Sequence, residues 1–455
     1  MIELIPVFLF LTICVLLLLG FPVAFTLAGT ALAFAGYGLY EGLLASGFVS
    51  ALPERIYGIM HRQTLTAVPL FILMGVLLEK SKLAERLLHN MSQLLGSKPG
   101  GLAISVILVG MLLAASTGIV GATVVTMGLI SLPSMLKAQY DPKLATGVIC
   151  ATGTLGQIIP PSIALVLLGD VLSTAYHQAQ LQMGIFNPES ISVGDLFLGA
   201  MFPGLLLVGF YLGFIIFKAK TKPESCPIAS IENHQTTTQL LMGLLPAVGL
   251  ISLVLGSILF GIATPTEAAG VGAFGAFLLA LASKQLPFTV LQDALLNTVK
   301  VTSMVFMILI GATLFSLVFR GFGGDELVQQ GFDYLPGGKY TALFVVMLCV
   351  FFLGFILDFI EITFVVVPIV GPILLMMGFD PIWLGIMFAI NLQTSFLTPP
   401  FGFALFYLRG VVPSNISTST IYKGVMPFIL MQLSLLLVLT LWPELATWLP
   451  NKVFG

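Results

Sequence analysis

Charged side chains are scarce in this chain. Aspartate, glutamate, lysine and arginine make up 8% of its 455 residues, whereas hydrophobic residues make up 58%. A soluble domain carries about 25% charged residues, so the composition excludes an ordinary soluble protein. Apolar runs of about 20 residues recur from end to end, and that is the length a helix needs to cross the hydrocarbon core of a bilayer. The sequence therefore predicts a helical protein embedded in the lipid bilayer.

Cysteine and histidine are also sparse, with four of each. No C-x-x-C motif is present, and the histidines at 61, 89, 177 and 234 match no metal-ligand spacing. No G-x-x-x-x-G-K-[ST] motif is present, which argues against an ATP site of that kind. No basic cluster suggests nucleic acid as a partner. These absences predict a protein without a disulfide framework or an organic cofactor.

The chain contains two segments with the same residue pattern. Residues 141–162 read DPKLATGVICATGTLGQIIPPS, and residues 380–401 read DPIWLGIMFAINLQTSFLTPPF, with the same spacing (380 − 141 = 239 and 399 − 160 = 239). Each copy runs from an apolar helix into small, hydroxyl or amide residues and then into a proline pair. Proline lacks the amide N–H and clashes with the preceding turn, so each helix is expected to break there. Matching broken helices in two halves are typical of the binding site of a secondary transporter.

The pattern predicts an all-α polytopic membrane protein built from two inverted-topology repeats. Each repeat has five spans, one of them interrupted, and a re-entrant helical hairpin with small or polar residues at its tip. Because five is an odd number, the second repeat enters the membrane with the opposite orientation. The first repeat, 1–217, comprises spans 3–20, 21–40, 64–79 and 194–217, hairpin 101–136 and broken span 143–172. A polar cytoplasmic linker, 218–238, precedes the second repeat, 239–455, with spans 239–260, 264–282, 301–319 and 420–442, hairpin 340–378 and broken span 382–411. Amphipathic segments at 46–63, 81–98 and 286–300 are expected to lie at the interface.

The basic residues predict the orientation. With the N-terminus outside, this layout places 13 of the 18 lysines and arginines on the inner side and five on the outer side. The outer five are Arg55, Arg62, Arg320, Lys339 and Lys452. An excess of positive charge on the cytoplasmic side is the normal bias of membrane proteins, so both termini are predicted to lie outside.

The broken helices are the first candidate binding elements. A break at membrane depth leaves carbonyl and N–H groups unpaired, which is tolerated where they line a cavity or bind a ligand. Carbonyl and hydroxyl oxygens suit a hard cation such as Na⁺, and the N-terminus of a half-helix suits a carboxylate. A packing kink is the alternative at any single break, but a matched pair favours binding. The candidates are Thr152, Thr154, Gly156, Pro160, Pro161 and Ser162 at the first break and Asn391, Gln393, Thr394, Ser395, Thr398, Pro399 and Pro400 at the second.

The hairpin tips are the second candidates. Ser116, Thr117, Gly118 and Thr123 offer hydroxyl groups and flexibility in the first hairpin. The second hairpin carries Asp358 and Glu361 inside an apolar run, and carboxylates at membrane depth are costly and usually functional. They could neutralise Na⁺ or relay protons; the alternative is that the tip reaches water and the charges serve no special purpose.

Three other charged residues have simpler interpretations. Glu267 follows Thr264-Pro265-Thr266 at the start of a span, where a carboxylate complements the helix dipole. Asp170 is predicted to end the first broken helix at the outer surface. Arg409 is predicted to end the second as a cytoplasmic anchor.

Several segments together resemble a known family. ASTGIVGATVVTMGLISLPSM, LATGVICATGTLGQIIPPSIALVLLGD, ATPTEAAGVGA and TPPFGFALFYLRG are similar to the large membrane subunit of tripartite ATP-independent periplasmic (TRAP) transporters. The resemblance covers essentially the whole chain. It implies a secondary transporter of the bacterial inner membrane, usually a Na⁺ symporter, that imports a small organic acid by an elevator mechanism with scaffold and transport domains. It also implies two partners: a periplasmic substrate-binding protein and a small membrane subunit of about four helices.

The resemblance also implies where the coupling ion and substrate bind. Sodium would lie near 116–118 and 152–156 on one side and near 358–363, which includes Thr363, and 391–400 on the other. The implied sodium ligands are Ser116, Thr117, Thr154, Gly156, Asp358, Asn391 and Thr398. The STGIVGA form resembles a subgroup associated with 2-oxo or 2-hydroxy monocarboxylates, and a C4-dicarboxylate is the other expected substrate.

Two rival functions remain open at this stage. The first is a stand-alone proton- or Na⁺-coupled dicarboxylate or ion exchanger of similar design. The second is an intramembrane enzyme in which Asp358 and Glu361, three positions apart, act as acid and base. No further catalytic motif supports the second, so the sequence predicts a transporter and not an enzyme.

Overall fold

The computed structural model describes residues 2–45, 47–48, 50–118, 120–228 and 237–453, with no side-chain description at 2, 83–84, 116–117 and 237–244. Those ranges form helices joined by turns and contain no strand, which confirms the predicted all-α class. The first half comprises α1 (Ile5–Leu18), α2 (Val23–Tyr40), α3 (Ala51–Met60), α4 (Ala67–Lys80), α5 (Leu83–Leu95), α6 (Gly101–Thr117), α7 (Val120–Lys137), α8 (Pro142–Thr154), α9 (Ile163–Gln182) and α10 (Val193–Thr221).

The second half follows the same plan. It comprises α11 (Thr237–Leu259), α12 (Pro265–Ala282), α13 (Phe288–Gly321), α14 (Gly324–Asp333), α15 (Gly338–Leu353), α16 (Phe359–Val365), α17 (Val367–Met376), α18 (Pro381–Leu397), α19 (Phe403–Arg409), α20 (Thr418–Leu441) and α21 (Glu444–Val453). The hairpin region consists of two helices in the first half, α6 and α7, and of three in the second, α15, α16 and α17. A broken helix follows in each half: α8–α9 and α18–α19.

The two halves pack on each other reciprocally. Helix α2 lies along α13, and α4 lies along α12. The second span of each repeat, α2 or α12, therefore meets the third span of the other, α13 or α4. In the same way α7 packs on α19 and α9 packs on α17. Such exchanged contacts are what a two-fold relation between the halves produces. The hairpins and broken helices thereby meet at the centre of the molecule.

Seven helices of the described part are long and apolar enough to cross a membrane: Val23–Tyr40, Gln63–Lys80, Val120–Lys137, Val193–Thr221, Pro265–Ala282, Phe288–Gly321 and Thr418–Leu441. An eighth candidate is the pair α16 and α17, which bends by 57° at its break. Shorter apolar helices, among them α1, α15 and α18, accompany these longer ones.

Helix α13 differs from the prediction. Residues 286–300 were expected as a separate interfacial helix before a span at 301–319, but one 34-residue helix runs through both. No proline interrupts 288–321, so nothing prevents the hydrogen-bond ladder from continuing. Helix α9 is also longer than predicted, because it continues to Gln182 instead of ending near 172.

Two amphipathic helices were not predicted. Helix α14 follows α13, and helix α21 follows α20; each is ten residues long. The linker predicted at 218–238 lies partly outside the described residues, and the end of α10 already extends to Thr221.

Candidate functional site

A cavity of about 60 Å³ lies where the hairpins and broken helices meet. Its wall takes residues from hairpin 1, from both broken helices and from hairpin 2, while α4 and α13 close the opposite side. Most lining side chains are apolar, and the polar ones are Gln157, Asp358 and Tyr407. The arrangement is a small, mostly apolar pocket with a few convergent polar groups, which is the usual form of a small-ligand site.

The first break is shaped by its own side chains. After α8, one turn of 3-10 helix covers Leu155–Gln157, the Pro160–Pro161 bond is cis, and α9 begins at Ile163. Because Pro160 has no N–H, the Gly156 carbonyl loses its helical donor, and the Ser162 hydroxyl donates to it instead at 2.6 Å. Pro161 likewise offers no N–H to the Gln157 carbonyl.

The tip of hairpin 1 rests on this break. Gly118 has a φ of +60°, and a Cβ at that position would lie 2.9 Å from the Ile163 amide nitrogen. Nearby, a Cβ on Gly121 would lie 2.8 Å from the Tyr407 ring of α19. Glycine at these two positions allows the hairpin to contact both half-helices, at the start of α9 and at Tyr407 of α19.

The second break is fastened to hairpin 2. The Asn391 side chain donates to the Met347 carbonyl at 2.8 Å, and the Ser395 hydroxyl donates to the Phe351 carbonyl at 2.6 Å. A Cβ on Gly354 would lie 2.5 Å from the Ser395 hydroxyl oxygen. Beyond the cis Pro399–Pro400 bond, the Tyr422 hydroxyl donates to the Pro400 carbonyl at 3.2 Å. Asn391 and Ser395 therefore hold the first limb of hairpin 2 against α18.

Equivalent residues of the two repeats touch each other. Gln393 Nε2 donates to Thr154 Oγ1 at 3.3 Å, and the two residues are 239 positions apart, which is the repeat offset. The Gln432 amide also reaches Thr154, at 3.4 Å, and donates to the Tyr211 hydroxyl at 2.8 Å. Contact between equivalent positions places the pseudo-two-fold axis beside this pair. The network is fully buried behind the cavity.

Asp358 and Glu361 form a capping box at the start of α16. Glu361 accepts the Asp358 amide at 3.0 Å, and Asp358 accepts the Phe359 amide at 2.7 Å. Glu361 is buried, whereas the Asp358 side chain is exposed and lines the cavity. The two carboxylates therefore have different surroundings, and Asp358 is the acidic group that faces the cavity.

The predicted site residues divide into those that line the cavity and those that support it. Gly118 and Asp358 line it. The hydroxyls of Thr152, Thr394 and Thr398 bond to carbonyls of their own helices. The remaining described candidates do not line the cavity: Thr123, Thr154, Gly156, Pro160, Pro161, Ser162, Glu361, Thr363, Asn391, Gln393, Ser395, Pro399 and Pro400. The Ser116 and Thr117 side chains lie outside the described residues.

Two cavity residues were missed by sequence reasoning. Gln157 is 1% exposed, and its Oε1 has no hydrogen-bond partner. Tyr407 lies on the half-helix after the second break. The signal for Gln157 was a lone amide three residues before the first proline pair. Tyr407 gave no signal, because it lies among other aromatic residues of an apolar segment.

Three charged residues outside the cavity are now placed. Glu267 forms a capping box with Thr264, in agreement with its predicted role at a helix start. The prediction for Asp170 was wrong, because it lies within α9 and pairs with Arg62 at 2.7 Å. Arg409 is the last residue of α19 and donates to the Ile416 carbonyl.

A monovalent cation fits the chemistry of this cavity. No group of three or more His, Cys, Asp or Glu side chains occurs among the residues that the structure describes, so a transition-metal site has no candidate there. The cavity instead has the Asp358 carboxylate in its wall, and Gln157, another lining residue, has a buried Oε1 without a hydrogen-bond partner. Oxygen ligands with a single carboxylate suit a hard ion of low charge better than a soft metal.

Comparison with known proteins identifies the family. A sequence model described as "Tripartite ATP-independent periplasmic transporter, DctM component" matches residues 10–445. The chain belongs to this family. As a TRAP large permease it is a multi-pass inner-membrane transporter. Because its relatives are transporter permeases, the alternative in which Asp358 and Glu361 serve as the acid and base of an intramembrane enzyme does not hold.

Named relatives cover the whole length of the chain. A C4-dicarboxylate TRAP transporter large permease, DctM, of Vibrio cholerae is 30% identical over 98% of both chains. A sialic acid TRAP large permease, SiaM, of the same species is 28% identical over 97% of both. An ectoine/5-hydroxyectoine TRAP large permease, UehC, of Ruegeria pomeroyi is 28% identical over 98% of this chain and 99% of that one.

A solved structure shares the fold. The YdaH transporter of Alcanivorax borkumensis, described as having an unusual topology, superposes with a TM-score of 0.60 and covers 90% of both chains. Its sequence identity is 15%, so the likeness concerns the fold alone.

Proposed function

We propose that this TRAP large permease imports a short-chain organic acid together with Na⁺ through the central cavity. The observation that supports this is the composition of the cavity wall: apolar surface, the Gln157 amide, the Tyr407 hydroxyl and one carboxylate, Asp358. A substrate carboxylate placed beside Asp358 would be repelled unless a cation lay between them. Coupling to Na⁺ removes that repulsion and makes binding of the two ligands cooperative.

The size of the cavity favours a small acid. A volume of about 60 Å³ holds a few water molecules, since each needs about 10–15 Å³ measured in this way. A 2-oxo or 2-hydroxy monocarboxylate or a C4-dicarboxylate is nearer to this scale than a sugar acid is. We therefore propose these acids as substrates.

The position of the cavity supports an elevator mechanism. One wall belongs to α4 and α13, which pack with α12 and α2, and the other belongs to the hairpins and broken helices. The facing surfaces at Val301, Met304 and Val305 are apolar and form no directional bonds beside the cavity, whereas the bonds of Arg62 to Asp170 and of Arg320 to Gln178 cross the seam farther along and must break when the two groups slide. We propose that the hairpin group moves past α4 and α13 and carries the cavity across the membrane.

We further propose that the permease works with a small membrane subunit of about four helices and a periplasmic substrate-binding protein. Both termini would then lie in the periplasm and the linker near 218–238 in the cytoplasm. A stand-alone exchanger of the same fold remains the alternative, and it would transport free substrate without either partner.

Reconstituted vesicles test the proposal. The permease, its small subunit and a binding protein loaded with pyruvate or succinate should take up substrate only with an inward Na⁺ gradient. Asp358→Asn should abolish Na⁺-dependent uptake, whereas Glu267→Gln, which preserves its capping geometry on the opposite helix group, should not. Uptake of either acid that is indifferent to Na⁺ would refute the coupling, and full uptake without the binding protein would favour the exchanger.

A further inference from the structure

A second cavity, of about 130 Å³, is bordered by three arginines. Arg55 and Arg62 come from α3 and the turn after it, and Arg320 comes from the last turn of α13. Hydroxyl or amide side chains at Thr174, Gln178, Thr313 and Ser316 also line it. These three arginines are among the five basic residues that the sequence assigns to the outer side of the membrane.

Two of the arginines have acidic partners and the third has none among the described residues. Arg62 pairs with Asp170 at 2.7 Å, and Arg320 lies 3.2 Å from Asp325. Arg55 is exposed, and no ion pair or hydrogen bond from its side chain is formed within the described part of the chain. Partial burial and the nearby charge of Arg320 lower the pKa of Arg55. The cavity therefore carries one more positive charge than negative charge.

The two cavities lie along one seam. Helix α9 supplies Ile163 to the central cavity and Thr174 to the arginine cavity, and hairpin 2 supplies Asp358 to the first and Phe364 to the second. Helix α13 does the same with residues 301–305 and then 309–320. Along all three elements, the residues that line the arginine cavity come after those that line the central cavity in the chain. The eleven positions between Ile163 and Thr174 on α9 correspond to a rise of about 16 Å, so the arginine cavity lies about three helical turns from the central one.

We propose that the arginine cavity is a reception site for the substrate carboxylate at the outer end of this seam. The assignment rests on the proposed import of an organic acid. Guanidinium groups bind carboxylates with charge-assisted, often bidentate hydrogen bonds. A positive vestibule concentrates an anion before it meets the single carboxylate of the central cavity. Arg55 is the guanidinium free to take the carboxylate, while Arg62 and Arg320 are held in place by their own partners.

Thiol labelling measures the charge of this cavity without requiring transport. Ser316→Cys places a half-buried thiol in the wall, in a background where Cys14 and Cys349 are replaced by alanine and the buried Cys150 and Cys226 remain. The permease, in phosphatidylcholine nanodiscs, is reacted with an anionic sulfonatoethyl and a cationic trimethylammonioethyl methanethiosulfonate. The anionic reagent should react about tenfold faster, relative to a small free thiol, because the local potential raises its concentration.

Three substitutions separate a local effect of Arg55 from a general effect of positive charge. Arg55→Gln should remove most of the preference for the anionic reagent, and Arg55→Lys should keep it. Lys452→Gln removes one positive charge from α21, away from the cavity, and should leave the preference unchanged. Succinate or pyruvate at millimolar concentration should slow labelling of the parent but not of Arg55→Gln, and neutral acetamide should slow neither.

The outcomes distinguish this site from the proposed function. Equal rates for the two reagents, or no protection by either acid, would overturn the reception site even if Na⁺-driven uptake is normal. Protection that appears on replacing phosphatidylcholine by phosphatidylglycerol, and does not respond to the acids, would assign the anion site to a lipid headgroup and also overturn it. If uptake is lost but the preference for the anionic reagent and the protection by succinate or pyruvate remain, the proposed import would be contradicted and the anion site would still be supported.

Discussion

Substituting Gly118 by alanine should uncouple hairpin 1 from the first broken helix. The φ of +60° disfavours any residue with a Cβ by about 1–2 kcal/mol. The added Cβ would also lie 2.9 Å from the Ile163 nitrogen and 3.1 Å from two of its side-chain carbons. Overpacking of this kind costs about 1–3 kcal/mol, so the total is about 2–5 kcal/mol. Because part of the clash is with backbone, the tip must move away from the start of α9 and the cavity wall must open.

Gly42→Ala is the matched control. Gly42 also has a positive φ, +69°, but a Cβ there meets no atom within 4 Å. Both variants are compared by Na⁺-driven uptake in vesicles and by thermal unfolding in detergent. Gly42→Ala should lose only the backbone contribution of about 1–2 kcal/mol and retain uptake. Gly118→Ala should unfold at a lower temperature than Gly42→Ala and lose most of its uptake. Equal behaviour of the two variants in both assays would refute the contact between hairpin tip and half-helix.

Three further predictions concern buried polar groups. Thr154→Val removes the acceptor of the buried Gln393 amide and one of the two acceptors of the Gln432 amide, and it should destabilise the protein by about 1–3 kcal/mol. Thr152→Val, which loses only hydrogen bonds within its own helix, should cost less in the same thermal assay. Arg62→Gln leaves Asp170, which is 9% exposed, without its ionic partner and should lower the free energy of unfolding by about 1–2 kcal/mol. This is less than for a fully buried pair, because Arg62 is partly exposed to solvent. An unchanged melting temperature would contradict this prediction. Glu361→Gln can keep the capping box and should preserve both the fold and Na⁺ dependence, and loss of Na⁺ dependence would show that Glu361 itself serves the ion.

The repeat offset predicted the centre of the molecule well. The spacing of 239 identified both proline breaks, and the structure brings Thr154 into contact with its equivalent, Gln393. This could be predicted because a broken helix leaves a direct mark in the sequence: proline removes hydrogen bonds and a polar residue at membrane depth is costly. Hydrophobic length likewise predicted helices long enough to span the bilayer.

The roles of individual polar residues could not be predicted in the same way. Asn391 and Ser395 were predicted as candidate binding residues, and the structure shows a role the sequence did not indicate: both side chains fasten α18 to hairpin 2 through carbonyls 44 positions earlier. Asp170 looked like a helix end, yet α9 continues past it to Gln182, and its carboxylate pairs with Arg62, 108 positions away in the chain. Such contacts depend on tertiary packing, which leaves no local pattern. Gln157 and Tyr407 became part of the cavity for the same reason.

The most direct test is a cryo-EM structure of the permease with its small subunit, determined in Na⁺ with saturating substrate and again with choline replacing Na⁺. The account predicts substrate density in the cavity bounded by Gly118, Gln157, Asp358 and Tyr407, with an ion density near Asp358 that disappears in choline. Substrate density outside this cavity, or an unchanged site in choline, would contradict it.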